Sequence, residues 1–256
     1  MEHVAWTARP QLHRPVLIAA FEGWNDAGDA ATYAARYLAE QWSTDQFAAI
    51  DPEEFFDFSS TRPHVRLDDD RQREIVWPSL DFSAASMPGD ALDVRLVITL
   101  GALLAEVPHS RPVSIVGTAD DDELVRRLDL RRSTYQGPTG IVGVLHDACR
   151  RAGLSSASLW AAVPTYIPGA PSPKAALALV RRVAEMLAVP VDTAELEIAS
   201  ASYERQVDEL VADDDDTAGY VARLEAEADD PTLEEADSED LIEELERFLR
   251  DHPPGT

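Results

Sequence analysis

Residues 15–21, PVLIAAF, followed by residues 22–42, EGWNDAGDAATYAARYLAEQW, decide the fold class of this chain. The first run is continuously apolar, which is typical of a strand buried on both faces. The second run starts with polar residues and glycines and takes up a helical repeat from Asp29 onward. A buried strand that leads directly into a helix predicts an α/β domain with a mostly parallel sheet.

The same alternation continues as far as Pro190. Further strands are predicted at residues 95–100, 112–118 and 158–163, and further helices at residues 120–129, 140–151 and 174–188. Residues 64–67 and 73–77 predict a β-hairpin, whereas residues 47–51 and 55–58 are too short to assign. Residues 1–190 are therefore predicted to form an α/β core domain.

After Pro190 the composition changes. Residues 191–256 hold 23 acidic residues against 4 arginines, a net charge of −19, and show no strand pattern. Amphipathic helices are predicted at residues 194–211, 217–228 and 238–250. We expect residues 191–256 to form an acidic helical C-terminal extension whose apolar stripes pack on its own core or on a neighbouring subunit.

The overall charge of −26 opposes binding to nucleic acid and to anionic membranes. No run approaches the roughly 18 apolar residues of a membrane span, and the N-terminal residues lack a signal-peptide core. A single cysteine, Cys149, excludes an internal disulfide framework. A cytoplasmic protein with no cofactor and no metal is expected.

Three unusual loops each follow a strand and precede a helix: EGWNDAGD at residues 22–29, QGPTGIVG at residues 136–143 and PTYIPGAPSPK at residues 164–174. The strand before the second loop is the short run at residues 132–135. In a parallel sheet such loops meet at the carboxyl ends of the strands, where open α/β folds place their sites. The convergence of the loops at one edge predicts a candidate binding site there.

In the first loop the candidate residues are Gly23, Trp24, Asn25, Asp26 and Asp29. Asn25 or Asp26 can cap the following helix, so a plain helix start explains the loop as well as a ligand site does. The loop lacks the G-x-G-x-x-G pattern, and its carboxylates would repel a phosphate.

In the second loop the candidates are Gly137, Pro138, Thr139 and Gly140. Backbone amides at this helix start could hold an anion or a carbonyl group of a partner. A Gly-Pro turn with Thr139 as the N-cap is the structural alternative.

The third loop and a separate segment supply Tyr166, Lys174 and His109. Lys174 is the one lysine of the chain and lies in a first helical turn, where the helix dipole disfavours a positive charge. It is either a functional residue or a solvated surface charge. His109 in EVPHSRP is a site candidate or a polar loop residue.

The standard catalytic patterns G-x-S-x-G and H-E-x-x-H are absent. His146 and Cys149 share one helix face, but a buried thiol explains Cys149 better than a nucleophile does. No catalytic residue is therefore assigned.

Four blocks of sequence together resemble the proteasome assembly chaperone 2 family in its actinobacterial branch: GWNDAGDAA, LGALLAEVPHSRPVSIVGTA, YQGPTGIVGVL and SLWAAVPTYIPGAPSPKAAL. The resemblance implies a three-layer α/β/α sandwich shaped like the phosphorylases and hydrolases. It also implies homo-oligomers, often trimers, and a C-terminal helical extension.

The family also implies a role in proteasome assembly, with proteasome subunits as partners. Some archaeal members end in a hydrophobic-Tyr-any tripeptide, whereas this chain ends in HPPGT. In addition, residues 79–94 run almost directly into the strand at 95–100, where relatives carry one more strand–helix unit.

Two functions are consistent with the sequence. The leading hypothesis is a non-enzymatic, oligomeric assembly-chaperone-like protein. The alternative is a small-molecule-binding protein, or a hydrolase-like or phosphorylase-like enzyme, that uses the loops at the strand edge.

Overall fold

The computed structural model describes residues 3–55, 63–67, 73–85, 96–133, 140–229 and 247. The chain divides into a smaller unit, Met1–His13 with Trp42–Met87, and a larger unit, Arg14–Gln41 with Pro88–Thr256. Across the described residues, no helix is both long and apolar enough to cross a membrane.

The described strands are β1 (Val4–Trp6), β2 (Val16–Ala20), β3 (Asp45–Ile50), β4 (His64–Leu67), β5 (Arg73–Val76), β6 (Leu80–Ala84), β7 (Leu96–Ala105), β8 (Ile115–Ala119), β9 (Arg131–Arg132) and β10 (Ser155–Pro164). The described helices are α1 (Ala30–Gln41), α2 (Asp122–Arg127), α3 (Ile141–Arg151), α4 (Pro173–Leu187), α5 (Ala194–Ala212) and α6 (Asp215–Ala228). Short 3₁₀ turns occur at Ala27–Asp29 and Pro52–Glu54.

The larger unit is built on a five-stranded sheet in the order β2-β7-β10-β8-β9. The β2–β7, β7–β10 and β8–β9 pairs are parallel, and the β10–β8 pair is antiparallel. The predicted α/β fold with a mostly parallel sheet is therefore confirmed.

The two long central strands are longer than the sequence pattern indicated. β7 and β10 pair over ten residues each, and nearly every side chain of both strands is buried. Burial on both faces requires continuous apolar sequence rather than alternation. A Cβ at Gly101 of β7 would lie 2.6 Å from the Trp160 ring of β10, so only glycine leaves room for that indole.

Helices cover both faces of this sheet and make it a three-layer sandwich. α1 and α4 pack on each other, and Ala30 and Ala34 of α1 and Ala176 of α4 are completely buried. Such small side chains let two helix backbones approach closely. α3 packs on β10, and its His146 is hydrogen-bonded to Thr99 of β7.

The acidic region begins as predicted with two helices. α5 packs on α4 and on α6, and we call α5 and α6 together the arm. Its buried apolar side chains follow one helical stripe on each helix: Leu196, Tyr203, Val207, Val221 and Leu224. The helix predicted at residues 238–250 lies outside the described residues except for Arg247.

The smaller unit contains only antiparallel pairs in its described part. β1, β3 and β6 form a three-stranded sheet, and β4 and β5 form the predicted hairpin, with Val65 opposite Ile75. The sequence analysis missed β1 and β6 because both are short and mixed in composition.

Candidate functional site

The first loop is fastened to β7 at the carboxyl end of β2. The Ala102 amide donates to the Asn25 carbonyl at 2.9 Å, and Asp26 forms a parallel bridge with Ala102. These bonds extend the β2–β7 pairing by two residues before the chain turns into α1. The loop therefore leaves the sheet along a defined path.

Asp26, rather than Asn25, is the residue that caps α1. Its carboxylate accepts hydrogen bonds from the Ala31 amide at 2.7 Å, the Thr32 amide at 3.3 Å and the Thr32 hydroxyl at 2.5 Å. Burial raises the pKa of Asp26, and these hydrogen bonds oppose part of the rise. Since both carboxylate oxygens are engaged, the capping alternative accounts for Asp26.

An open cleft lies beside this loop and has a volume of about 320 Å³. It is lined by the first loop, by Leu104 and by the third loop: Gly23, Trp24, residues 26–29 and residues 168–170. The Ser172 amide donates to the Gly28 carbonyl at 2.7 Å and joins the two loops. Gly28 has a φ of 59° and a Cβ there would lie 3.0 Å from Ser172 Cβ, so both backbone angle and space require glycine. We call this site the loop cleft.

The second loop is described only at its last residue. Gly137, Pro138 and Thr139 lie outside the described residues. A Cβ on Gly140 would lie 2.9 Å from the Trp24 ring, so the start of α3 lies against the first loop.

The sequence analysis expected the second loop near the first because both would follow the carboxyl ends of parallel strands, and for the second loop this reason is wrong. β9 is parallel to β8, and β8 is antiparallel to β10, so β9 ends at the opposite edge of the sheet from β2 and β10. The approach of Gly140 to Trp24 therefore does not follow from the direction of β9.

The remaining three candidates meet at a different place. His109 is 3% exposed, and its ring lies between Tyr166 and the arm. Its Nδ1 is 2.8 Å from the Tyr166 hydroxyl and its Nε2 is 3.0 Å from an Asp208 carboxylate oxygen of α5. The Tyr166 hydroxyl also accepts a hydrogen bond from the His109 amide at 2.7 Å.

One tautomer of neutral His109 gives every group in this network a partner. Burial raises the pKa of Tyr166 to about 12, so its hydroxyl keeps its proton at neutral pH. With the ring proton on Nε2 and donated to Asp208, the Tyr166 hydroxyl accepts from the His109 amide and donates to Nδ1.

Lys174 lies in the first turn of α4, where its charge is disfavoured by the helix dipole. The ammonium donates to the His109 carbonyl and pairs with the Glu204 carboxylate of α5, and the side chain is 13% exposed. These contacts offset the unfavourable interaction between the ammonium and the dipole of α4. We call His109, Tyr166, Lys174, Tyr203, Glu204 and Asp208 the buried junction.

Further polar contacts join the arm to the segment between β7 and β8. Arg111 donates two hydrogen bonds of 2.7 Å to Asp229 just after α6. Ser110 donates to Glu225, and Tyr220 donates to Glu106 at 3.0 Å. The arm is thus attached to the first half of this segment, at Glu106 and residues 109–111.

The sequence analysis missed the arm residues of the buried junction. Glu204 and Asp208 are four residues apart and lie beside Tyr203 and Val207 of the apolar stripe. That spacing placed all four near one face of α5. It did not indicate which core residues they meet, because the contacts join residues about 30 to 100 positions apart.

The nine described residues among the twelve candidates therefore separate into two groups: six lie in or beside the open loop cleft, and His109, Tyr166 and Lys174 lie in the buried junction. In the cleft, Trp24 supplies an aromatic ring and Asp29 a carboxylate. In the junction, His109, Tyr166 and Lys174 bond to one another and to Glu204 and Asp208. Of the described His, Cys, Asp and Glu side chains, no three lie close enough together to hold a metal ion.

The model of the PAC2 family matches residues 20–91 and 89–211. A PAC2 family protein of Streptomyces avermitilis is 39% identical, with 81% of this chain and 99% of that chain covered and a TM-score of 0.69. A proteasome-assembly chaperone homologue of Mycobacterium tuberculosis is 38% identical, with 81% and 100% covered and a TM-score of 0.67. A Mycobacterium tuberculosis protein of unknown function is 26% identical, with 97% and 96% covered and a TM-score of 0.80. No curated protein matches the chain.

Proposed function

This chain belongs to the PAC2 family, and on that premise we propose that it is a non-enzymatic, homo-oligomeric assembly chaperone whose clients are proteasome subunits. The cytoplasm is the proposed place of action. Support comes from the structural neighbour that is named a proteasome-assembly chaperone homologue and is 38% identical.

The observation that carries the proposal is the arrangement of the buried junction. Its histidine, tyrosine and lysine, which the sequence offers as site residues, bond to one another and to the arm. Their bonds attach an acidic helical surface to the sandwich. Residues 194–228 carry 11 acidic residues and 2 arginines, which suits a basic protein surface.

Self-association has support in the smaller unit. Val65 and Ile75 are cross-strand partners in the hairpin and are 65% and 58% exposed. A two-stranded sheet with an exposed apolar pair gains stability when a second surface covers it. We propose a homo-oligomer, with a trimer as the expected state from the family resemblance.

Native mass spectrometry of the purified chain mixed with proteasome subunits of the same organism tests the proposal. An oligomer that retains those subunits supports it. An oligomer that never retains them at micromolar concentration contradicts the client assignment, and a monomer contradicts the oligomeric one.

A matched pair of variants tests the role of the arm. Glu209→Lys with Asp213→Lys reverses two exposed charges at the end of α5. Glu40→Lys at the end of α1 with Asp45→Lys at the start of β3 makes the same charge change away from the arm. We expect only the arm variant to weaken client binding, by about tenfold, because rim charges act mainly on association. Equal weakening by both pairs would indicate a general effect of net charge.

A second candidate function, small-molecule binding or hydrolase-like or phosphorylase-like catalysis, has one observation in its favour. The loop cleft has a volume of about 320 Å³, and the side-chain amide nitrogen of the neighbouring Asn25 is buried without a partner in the described structure. That volume is at the lower end for ligand pockets. A small mass that stays with the protein, and that is lost on Trp24→Leu but kept on Trp6→Leu, would favour this alternative.

A further inference from the structure

The end of the third loop connects the loop cleft to the arm. Residues 168–170 line the cleft, and four positions later in the chain Lys174 pairs with Glu204 of α5. Three of the seven residues from 168 to 174 are prolines, which restrict the backbone to a narrow range of φ. The segment can therefore absorb little of a displacement at one end before it reaches the other. We call residues 168–174 the connector.

Ser172 of the connector contacts the cleft wall and the arm at the same time. Its amide donates to the Gly28 carbonyl at 2.7 Å, which fixes it to the first loop. Its hydroxyl accepts the Ala175 amide at 3.3 Å as the N-cap of α4 and shares a hydrogen bond with the Tyr203 hydroxyl of α5. Ser172 is 2% exposed and Tyr203 is 7% exposed, so solvent competes little for these bonds. One buried serine thus joins the first loop, α4 and the arm.

The contact between Gly28 and the connector leaves little room for adjustment. A Cβ at Gly28 would lie 3.0 Å from Ser172 Cβ and 3.1 Å from both the Ala170 carbonyl oxygen and the Ser172 amide nitrogen. Two of these three atoms are backbone atoms, so they cannot move aside as the end of a flexible side chain does. Because close-packed atoms transmit a displacement, a shift of the cleft wall at Gly28 moves Ser172.

We propose that the connector couples the loop cleft to the arm, so that a group bound in the cleft against Gly28 loosens the docking of α5. The coupling acts in both directions, because two linked equilibria change each other by the same factor. A loosened α5 therefore also frees the cleft wall. Under the proposed function the arm carries the client surface, so the cleft would regulate client binding. That consequence rests on the proposed function, whereas the coupling does not.

Hydrogen exchange of the α5 amides tests the direction from cleft to arm. Gly28→Ala places a methyl group against the connector, and we expect the α5 amides to exchange about fivefold faster than in the wild type. Each rate is taken relative to the α3 amides, so that a general loss of stability cancels. Unchanged α5 exchange in Gly28→Ala would overturn the proposal.

Gly23→Ala is the matched control. Gly23 also lines the cleft and has a φ of 110°, so alanine strains the backbone there as well. A Cβ at Gly23 would meet no described atom within 4 Å. We expect α5 exchange in Gly23→Ala to stay within about twofold of the wild-type rate. An effect as large as that of Gly28→Ala would assign both to backbone strain and contradict the coupling.

The Ser172 amide reports the direction from arm to cleft. Its bond to the Gly28 carbonyl protects it from exchange, and Tyr203→Phe removes the bond from the arm to Ser172 without adding bulk. We expect the Ser172 amide to exchange about threefold faster in Tyr203→Phe. It should be unchanged in Tyr220→Phe, whose hydroxyl bonds to Glu106 in the wild type. Equal Ser172 rates in the wild type and in Tyr203→Phe would refute the coupling even if Gly28→Ala does not fold.

The double variant distinguishes coupling from two independent effects. If Gly28→Ala already displaces Ser172 from Tyr203, the further change Tyr203→Phe should speed α5 exchange less than it does in the wild-type background. Two fold-changes that simply multiply would show that the sites are independent. All of these measurements use the protein alone, so the coupling can fail while the proposed chaperone function holds, and the reverse.

Discussion

The loop cleft and the buried junction were predicted as one site, and the structure makes them two different environments. The cleft is open and lined largely by backbone and small residues, with a single carboxylate engaged as a helix cap. At the junction a buried histidine and a largely buried lysine are bonded to solvent-exposed acids of α5. The difference teaches that polar residues at a sheet edge acquire a structural role when a later segment of the chain covers them.

The largest effect is expected from breaking the junction with Lys174→Met. This change leaves the Glu204 carboxylate and the His109 carbonyl without their partner. Because Glu204 is partly exposed, we expect a loss of about 2 kcal/mol in the free energy of unfolding rather than the larger loss of a fully buried pair. Urea unfolding measures it.

Arg181→Met is the matched control for that prediction. Arg181 pairs with Glu197 on the exposed side of α4, where solvent screens the interaction. Its removal is expected to have little effect. A similar loss in both variants would mean that the junction is no stronger than an ordinary surface pair.

The second-largest loss of stability is expected from a change at the loop cleft. Asp26→Ala removes three hydrogen bonds at the start of α1, and we expect a loss of about 1–2 kcal/mol in the free energy of unfolding. Asp29→Ala changes the neighbouring cleft carboxylate and is expected to cost less. If Asp26→Ala leaves stability unchanged, the capping role is wrong.

A third prediction concerns a buried polar group outside both regions. Burial lowers the pKa of His146, whose ring bonds to Thr99 and Ser156 at 3.0 and 2.8 Å. The unfolded chain therefore binds a proton more readily than the folded one, and stability falls as pH drops below about 6.5 toward the folded pKa.

Urea midpoints at several pH values check this prediction. The His146→Gln side chain keeps a hydrogen-bond donor and an acceptor but cannot titrate. The urea midpoint of this variant should therefore fall less than that of the wild type between about pH 7.5 and about pH 5. Parallel falls in wild type and variant would assign the acid sensitivity to other groups.

The smallest effect is expected at the outer end of the arm. Arg111→Gln removes the bonds to Asp229 while Ser110 and Tyr220 keep theirs. We expect a slight loss in the free energy of unfolding at low salt. The loss should disappear in about 1 M salt, because exposed charges more than a few ångströms apart are screened from each other there. A loss that persists at high salt would show that this contact is more than electrostatic.

The sequence predicted much of the fold because local pattern carries that information. Residues 15–21 and 158–163 are apolar runs of strand length, and residues 174–188 repeat with helical period, so β2, β10 and α4 were located correctly. β1 and β6 were missed, since three to five residues of mixed character have no periodicity to measure. The predicted boundary between residues 190 and 191 stays a prediction.

The candidate site was predicted only in part. Glycines, prolines and the first-turn lysine singled out the three loops, and the structure brings the first and third loops together at one cleft. Asp26 was one of two capping choices, and it is the residue that caps α1. The partners of His109 and Lys174 lie 30 to 99 residues away along the chain, and no local pattern connects them.

By itself, then, the amino-acid order determined the longer helices, several strands, the two helices of the arm and the family, because strand and helix periods and turn residues act over a few positions. The tertiary structure alone decided that β9 runs against β10 and that Gly140 reaches Trp24. It also decided that α5 closes over His109 and Lys174. Those outcomes depend on which distant surfaces meet, and a buried lysine and its carboxylate partner are recognisable only once burial has brought them together.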